Sequence, residues 1–496
     1  MTLKTITHQS LTCIALIICA IVFAIPAAQA DQNWDGDNAV GNFSFANNWY
    51  GDTVGGLSGF GFANGSLHFS QRNNGAQTSI FYDFAGYADT NDIFWDSTFG
   101  AGLTLNGNGQ GLNFNQRLEN NSSFTQTIGA SMNLSGAKNG ASQIELNPVN
   151  GDLVINGNIF NDNSKPYHVF GNNGKTLTVN TTLGVGGNAA AVTFTVEANS
   201  NVIFTKAQSY TGVTTITGGS ITLGNGTTGN DGSIAGASIV NNSALNYNLF
   251  GSSTYGGSIS GSGTVSKSGA GTIILTGSNS FAGTTTISAG VLEAGGAGAL
   301  GSGTTGTSGI SVANGATLRL SNSGTADHIK NTATISLAAG STFSTGGVSE
   351  GTRPTGPLGS GGVVGMGALS LAGTSPAHIT IDFGTNVNGS SLVFSSLASG
   401  ASGLFIDILN WNGNAGFDNG ATSNDRLLFA TNPNLTEAQL ANISFAGFAP
   451  GATEFIYGNM FEIVPVPEPG TWVAGGLMAA SLLAGLRRRR AKLVRA

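Results

Sequence analysis

Between its two ends, the chain consists of short segments in which apolar and polar residues alternate. Examples are KTLTVNTTL at 175–183, GTIILTG at 271–277 and HITIDFG at 378–384, and glycine, asparagine and serine separate such segments. Alternation with a period of two, combined with β-branched residues and turn residues, is typical of short strands joined by turns. Long helical periods do not interrupt this pattern, so it predicts an all-β protein.

The chain also contains an internal repeat. Residues 202–223 (VIFTKAQSYTGVTTITGGSITL) align without gaps on residues 273–294 (IILTGSNSFAGTTTISAGVLEA). Tyr210 of the first copy matches Phe281 of the second, and each copy reads as two strands around an aromatic corner, followed by a short third strand. Units this small cannot bury an apolar face alone, so they must stack on their neighbours.

Stacking of this kind predicts a right-handed β-solenoid, a rod with a cap at each end. At about 20–25 residues per coil and about 4.8 Å per rung, the body would form a rod of roughly 70–100 Å. An array of β-sandwich modules is the alternative architecture, because short strands separated by frequent turns also fit that class.

Composition supports an ordered body and limits its partners. Charged residues make up 9% of the chain, against about 25% in typical globular proteins. Without the basic residues of the two ends and Glu468, the body keeps 11 basic and 24 acidic residues. A thinly charged acidic body without basic patches argues against nucleic acid as a partner. The two cysteines, Cys13 and Cys19, lie in the leader described next, which excludes cysteine chemistry from the exported body.

The N-terminal segment 1–30 has the pattern of a secretory signal peptide. A positively charged start and an apolar run precede Ala28 and Ala30, and the small-x-small pattern predicts cleavage by signal peptidase before Asp31. A first transmembrane helix is the alternative. The signal-peptide interpretation predicts export through the Sec pathway.

The C-terminal end has three parts in a fixed order. Pro467, Glu468 and Pro469 form a turn, an apolar run follows at 471–486, and then come four arginines, Arg487, Arg488, Arg489 and Arg490. As a helix the run spans about 24 Å, less than the bilayer core of about 30 Å, and the arginines would stay on the cytoplasmic side. The pattern predicts a precursor held briefly in the inner membrane and then cut; a permanent anchor is the alternative.

Catalytic and metal-binding patterns are scarce, and no catalytic residue or cofactor is predicted. The four histidines of the body stand in no ligand spacing and are interpreted as surface or turn residues: His68, His168, His328 and His378. Asp35 and Asp37, and further on Asp89 and Asp92, could offer carboxylates to calcium or to glycoside chemistry. Aspartates beside asparagine and glycine are also ordinary turn formers, and that is the interpretation preferred here.

Two segments resemble known families. Residues 268–295 (SGAGTIILTGSNSFAGTTTISAGVLEAG) resemble the autotransporter-associated β-strand repeat, and the C-terminal end resembles a PEP-CTERM sorting signal. The second resemblance implies export by a Gram-negative bacterium, processing by an exosortase-type enzyme, and an association with exopolysaccharide and biofilm. Extracellular polysaccharide is thus a candidate partner, besides signal peptidase and the processing enzyme.

These observations predict the following organisation: a signal peptide at 1–30, an N-terminal β cap with the first coils at 31–150, the β-solenoid at 151–375, a terminal β-rich cap with one short helix at 376–464, the sorting signal at 465–490 with a transmembrane helix at 471–486, and a cytoplasmic tail at 491–496. Asn434 is the predicted N-cap of the short helix, with Glu437 three residues later.

Two functions fit this organisation. The first is a non-catalytic structural or adhesion protein of the cell surface or extracellular matrix. The alternative is a polysaccharide lyase or glycoside hydrolase, because β-solenoids also host such enzymes. An enzyme would need acidic residues beside Lys or Arg on neighbouring coils, and the few scattered basic residues make such a cluster hard to assemble. The structural function is therefore preferred.

Overall fold

The computed structural model describes the following residues: 32–34, 66–69, 79–82, 88–107, 112–133, 142–160, 165–171, 173–185, 192–197, 199–235, 238–321, 327–352, 365–373, 377–385, 389–398, 404–413 and 424–466. The predicted signal peptide, the predicted sorting motif and the apolar run at 471–486 lie outside these ranges. Within them, no helix combines the length and the apolar character that crossing a membrane requires.

Short strands dominate the described residues. In the first part of the chain they are β1 (Gln32–Trp34), β2 (Leu67–Phe69), β3 (Ser79–Tyr82), β4 (Ala88–Trp95), β5 (Leu103–Gly107), β6 (Leu112–Asn120), β7 (Gln126–Ile128), β8 (Met132–Asn133), β9 (Ile144–Pro148), β10 (Leu153–Ile155), β11 (Ile159–Phe160), β12 (Tyr167–Val169), β13 (Thr176–Val179) and β14 (Leu183–Val185).

The middle of the chain continues the series. Its strands are β15 (Phe194–Val196), β16 (Asn201–Phe204), β17 (Ala207–Gln208), β18 (Thr214–Ile216), β19 (Ser220–Leu223), β20 (Ser233–Ile234), β21 (Ser238–Asn241), β22 (Ala244–Asn248), β23 (Ser252–Tyr255), β24 (Ser258–Ser260), β25 (Thr264–Ser268), β26 (Thr272–Leu275), β27 (Thr285–Ile287), β28 (Val291–Ala294), β29 (Gly301–Ser302), β30 (Thr305–Gly306), β31 (Gly309–Val312), β32 (Thr317–Leu320), β33 (Thr334–Ala338), β34 (Thr342–Ser344), β35 (Leu369–Ala372) and β36 (Ala377–Asp382).

The last part contains both strands and a helix. Its elements are β37 (Ser391–Phe394), β38 (Leu404–Leu409), β39 (Arg426–Phe429), α1 (Glu437–Ala441), β40 (Ile443–Phe445), β41 (Ala452–Tyr457) and β42 (Met460–Pro465).

Three long sheets form the faces of a solenoid. The first runs β1-β2-β4-β6-β9-β12-β15-β18-β21-β24, with β8, β11 and β14 attached to it. The second runs β3-β5-β7-β10-β13-β16-β19-β22-β25-β27-β31-β33-β35, and the third runs β23-β26-β28-β32-β34-β36-β38-β40. Neighbouring strands in these sheets pair in parallel, and each comes from the next coil of the chain. Parallel pairing confirms an all-β fold of the solenoid type and does not fit sandwich modules, whose sheets are antiparallel.

Equivalent positions of successive coils stack on one another. Leu177, Val202, Ile221, Leu245 and Val265 follow each other in register along the second sheet. All five side chains are fully buried. The intervals between these positions are 25, 19, 24 and 20 residues, close to the assumed coil length of about 20–25 residues. Burial of alternate residues in most strands of the three sheets produces one large apolar core among the described residues.

The two copies of the internal repeat occupy different faces. In the first copy, β16 and β19 lie in the second sheet and β18 lies in the first sheet. In the second copy, β26 and β28 lie in the third sheet and β27 lies in the second. Tyr210 and Phe281, like Ile216 and Ile287, are fully buried in both settings. The repeat therefore specifies a local shape, and the number of residues between the copies determines which face each copy forms.

Glycine is required at the corner that both copies share. Gly219 and Gly290 have φ angles of +67° and +66°. A Cβ at Gly219 would lie 1.8 Å from the carbonyl oxygen of Ser200, and a Cβ at Gly290 would lie 2.3 Å from that of Gly271. Both the left-handed backbone and the close approach of the adjacent coil exclude a side chain here.

The C-terminal part contains a sheet with antiparallel pairs, unlike the three long sheets. Strands β37, β39, β42 and β41 form a four-stranded sheet in which β42 is antiparallel to both of its neighbours. The helix α1 begins after Thr436, whose hydroxyl accepts a hydrogen bond from the backbone N–H of Gln439, and the Gln439 side chain accepts one from the backbone N–H of Thr436. The predicted cap was therefore wrong by two residues. Asn434 has a φ of 51° and lies outside the helix, in the segment before it.

Lys267 is an inward-facing lysine in the solenoid core. It lies in register between Tyr247 and Ile287 and is fully buried. Its ammonium donates hydrogen bonds to the carbonyl oxygens of Ser268 (2.6 Å), Gly269 (2.8 Å) and Ala289 (3.2 Å). Burial lowers the pKa of Lys267 to about 8, although the carboxylate of Asp231 acts in the opposite direction. The lysine thus closes a corner of the coil by binding carbonyl oxygens that face the interior.

This lysine predicts a characteristic pH dependence of stability. In the unfolded chain the pKa of this lysine is about 10.4. Between pH of about 8 and 10.4 the unfolded state therefore binds more protons than the folded state. The free energy of unfolding consequently rises with pH in this range. Burial raises the pKa of Tyr210 and Tyr247, so stability should fall again above pH of about 10, where unfolded tyrosines ionise. Urea denaturation from pH 7 to 11 should show this maximum. In Lys267→Met the rise should become much smaller, although burial also lowers the pKa of Lys165; persistence of the same rise would contradict the assignment to Lys267.

Candidate functional site

Charged side chains form a column on the outer face of the first sheet. Asp92 on β4 lies in register with Arg117 on β6, Arg117 with Glu145 on β9, and Glu145 with His168 on β12. These residues point outward because the residues next to them in each strand are fully buried: Ile93, Leu118, Ile144 and Tyr167. We call Asp92, Arg117, Glu119, Glu145 and His168 the charged column; Glu119 lies two residues after Arg117 on the same face.

One guanidinium group connects the acidic side chains of this column. The Nε atom of Arg117 lies 3.9 Å from Asp92 Oδ1 and 3.6 Å from Glu145 Oε2, and Nη1 lies 3.3 Å from Glu119 Oε2. The guanidinium carbon also lies 4.9 Å from the centre of the Phe94 ring. Three carboxylates thus converge on a single cation that also stacks on an aromatic ring.

Asp92 is the most perturbed carboxyl of the column. Burial raises its pKa above the usual range, while Arg117 and a hydrogen bond from the Ser66 hydroxyl (3.3 Å) act against this effect. The carboxyls of Glu145 and Glu119 raise the pKa further. A carboxyl group whose pKa is raised beside other acidic side chains is one arrangement from which acid–base chemistry can develop.

The structure assembles a cluster that the sequence analysis had judged hard to form. Arg117 was not singled out from the sequence, because its acidic neighbours Asp92 and Glu145 lie on the preceding and the following coil, far away along the chain. The signal that could have found it is the coil length: charged residues separated by one coil meet on adjacent strands. Scattered basic residues therefore do not exclude an ionic cluster in a solenoid.

The calcium candidates do not come together in the described part of the chain. Asp92 has Arg117 as its neighbour, and a guanidinium at that position competes with a cation. The side chain of Asp89, and both Asp35 and Asp37, lie outside the described residues. Within the described ranges no group of three or more His, Cys, Asp or Glu side chains is arranged to hold a metal ion.

The prediction that the histidines are surface or turn residues was wrong for His328. Its side chain is fully buried, and its Nδ1 atom lies 3.2 Å from Glu350 Oε2. Glu350 also accepts hydrogen bonds from the backbone N–H groups of His328 (2.8 Å) and Ile329 (3.1 Å). The other three histidines among the described residues lie nearer the surface and approach carboxylates, the closest being His378, whose Nδ1 lies 2.6 Å from Asp407 Oδ2. Through these contacts Glu350 stabilises the packing of the segment around His328 against the adjacent coil.

One family model matches the chain. Residues 265–294 match the passenger-associated-transport-repeat family. The matched segment runs from β25 to β28 and includes Lys267, the Phe281 corner and Gly290. Neither a curated protein nor a solved structure matches the chain. The family match confirms the resemblance of this segment to the autotransporter-associated repeat and points to a secreted or cell-surface protein of the passenger type.

Proposed function

We propose that this chain is an exported, non-catalytic structural or adhesion protein of the cell surface or extracellular matrix. The observation that carries the proposal is the passenger-type repeat at 265–294, which forms part of the parallel sheets of the solenoid. Such a rod projects a large, regular surface from a small number of residues per coil.

In this proposal, the two ends of the chain direct its export and processing. A signal peptide cleaved after Ala30 directs Sec export, and the apolar run at 471–486 holds the precursor in the inner membrane with Arg487 to Arg490 on the cytoplasmic side. An exosortase-type enzyme then recognises Pro467-Glu468-Pro469, where the prolines restrict the backbone and present Glu468. The mature protein reaches the surface or matrix, where exopolysaccharide is its candidate partner.

Intact-mass measurement of the protein from its native host tests the route. The mature product is expected to begin at Asp31 and to lack everything beyond the Pro467–Pro469 motif. Glu468→Gln should leave the precursor in the inner-membrane fraction. Glu437→Gln, which changes an exposed carboxylate in α1, is the matched control and should be processed normally. A mature wild-type protein that still carries Arg487 to Arg490 would contradict the sorting proposal and favour a permanent anchor.

The charged column favours a second candidate, a polysaccharide lyase or glycoside hydrolase. Asp92, Arg117 and Glu145 lie on three adjacent strands and combine a perturbed carboxyl with a guanidinium, as the enzyme hypothesis requires. The two functions differ in turnover. If the wild-type chain cleaves a soluble polysaccharide and Arg117→Met abolishes this cleavage, the enzymatic function is favoured over the structural one.

A further inference from the structure

The outer face of the second sheet carries an unbroken column of uncharged side chains, most of them small and polar. Twelve consecutive strands from β5 to β35 each contribute one residue, and the twelve are in register. Nine are serine or threonine, and none is charged: Thr104, Thr127, Val154, Thr178, Ile203, Thr222, Asn246, Ser266, Thr286, Ser311, Ser336 and Ser370. At about 4.8 Å per strand the column extends over about 50 Å. We call it the hydroxyl face.

This face differs in charge from the outer faces of the other two sheets. The first sheet carries the charged column around Arg117. The third carries Glu293 and Arg319 in register on adjacent strands, with 3.4 Å between Glu293 Oε2 and Arg319 Nη1. Beside the hydroxyl face, the carboxylate of Asp152 accepts a hydrogen bond from the backbone N–H of Thr176 (2.9 Å). Among the described residues, the second sheet thus presents the one outer column of this length that is uncharged.

Hydrogen bonds between coils order several of these polar side chains. The Asn246 amide donates to the Thr222 hydroxyl (3.3 Å) and accepts from the Ser266 hydroxyl (2.7 Å), so three successive strands are linked. Next to this column, Asn180 donates to the side-chain oxygen of Asn156 (2.8 Å). Fixed side chains lose little conformational entropy when a ligand binds, which favours recognition by a regular array.

We infer that the hydroxyl face binds an uncharged, extended polysaccharide laid along the rod. Hydroxyl and amide groups repeated at about 4.8 Å offer both donors and acceptors to the hydroxyl groups of successive sugar rings. The exposed rings of Phe124 and Phe250, which lie two residues before β7 and two residues after β22, add apolar surface at the two borders of the sheet. The inference rests on the proposed function and names the chemistry of its polymer partner.

The charge of the chain argues against an anionic polysaccharide as the ligand of this face. A polyanionic polysaccharide would meet an array without a single cation, in a body that has more than twice as many acidic as basic residues. A second copy of the chain remains the competing occupant, and the experiment below separates it from a polysaccharide by oligomeric state.

Binding of the purified full chain to microcrystalline cellulose tests the inference, with polygalacturonate beads as the anionic comparison. The test variant is Thr286→Glu with Ser311→Glu, two exposed positions on adjacent strands of the hydroxyl face. The matched control is Ser252→Glu with Thr254→Glu, two exposed outward positions of β23 on the third sheet. Desolvating two carboxylates against a neutral polymer should weaken cellulose binding by about tenfold or more, while the control should bind as the wild type does.

The expected result is saturable binding of the wild type and the control to cellulose, weak binding to polygalacturonate, and the loss in the test variant alone. Far-ultraviolet circular dichroism should show that both variants keep the wild-type fold. Absence of wild-type binding, or equal binding by test and control variants, would overturn the inference. So would a wild-type dimer in sedimentation velocity that only the test variant dissociates. Each of these results leaves the sorting proposal untouched, because that proposal is measured by the mass of the mature product.

Discussion

Replacing Leu292 with aspartate is expected to lower the free energy of unfolding by about 4 kcal/mol, because it places an uncompensated charge in the core. Leu292 is fully buried and lies in register between Ile273 and Leu318, which are also fully buried. None of the three offers a hydrogen bond or a countercharge to a carboxylate. Chemical denaturation followed by circular dichroism should measure the loss.

Val291→Asp is the matched control for this prediction. Val291 is the preceding residue of the same strand, points outward between Thr272 and Thr317, and is half-buried. The same carboxylate there remains in contact with water, so the loss should stay below about 1 kcal/mol. Equal losses at both positions would mean that the assigned inward and outward directions of β28 are wrong.

Replacing Glu350 with leucine is expected to cost about 3 kcal/mol, because two buried backbone N–H groups lose their acceptor. Those groups belong to His328 and Ile329, and both donate to the carboxylate of Glu350. The segment 327–330 also receives the backbone N–H of Leu300 at the carbonyl oxygen of His328 (2.7 Å). Loss of the hydrogen bonds to Glu350 should therefore increase local opening in this segment and in the adjacent coil around Leu300.

Hydrogen exchange measured by mass spectrometry would locate this effect. Glu350→Leu should speed exchange of the amides of His328 and Ile329 and of the coil around Leu300. Glu350→Gln retains a side-chain carbonyl oxygen as acceptor and should show a smaller change in both exchange and stability. If leucine and glutamine behave alike, the hydrogen bonds from the backbone are not what stabilises this region.

Several features could be read from the sequence because they depend on local pattern alone. Alternation with period two predicted the strands, and the match between 202–223 and 273–294 predicted that these units stack as coils. The inward direction of Ile216 and Ile287 follows from the same alternation. Short-range patterns of this kind carry over to the structure because every strand must bury one face.

Other features depend on which coil lies next to which, and only the tertiary structure decided them. The sequence does not show that Arg117 meets Asp92 and Glu145, that Lys267 points into the core, or that Glu350 reaches His328. Coil lengths vary from one turn to the next, and a change of one residue would reverse the face on which a side chain lies.

The contrast between the three outer faces has the same origin. The sequence by itself determined that this chain is a β-rich protein of repeated short strands with few charges. The tertiary structure decided that charged side chains form clusters on the outer faces of the first and third sheets, while the outward column of the long second sheet stays uncharged. The physical reason is that a solenoid brings together residues about one coil apart, so the composition of a face depends on register and not on any contiguous stretch of the chain.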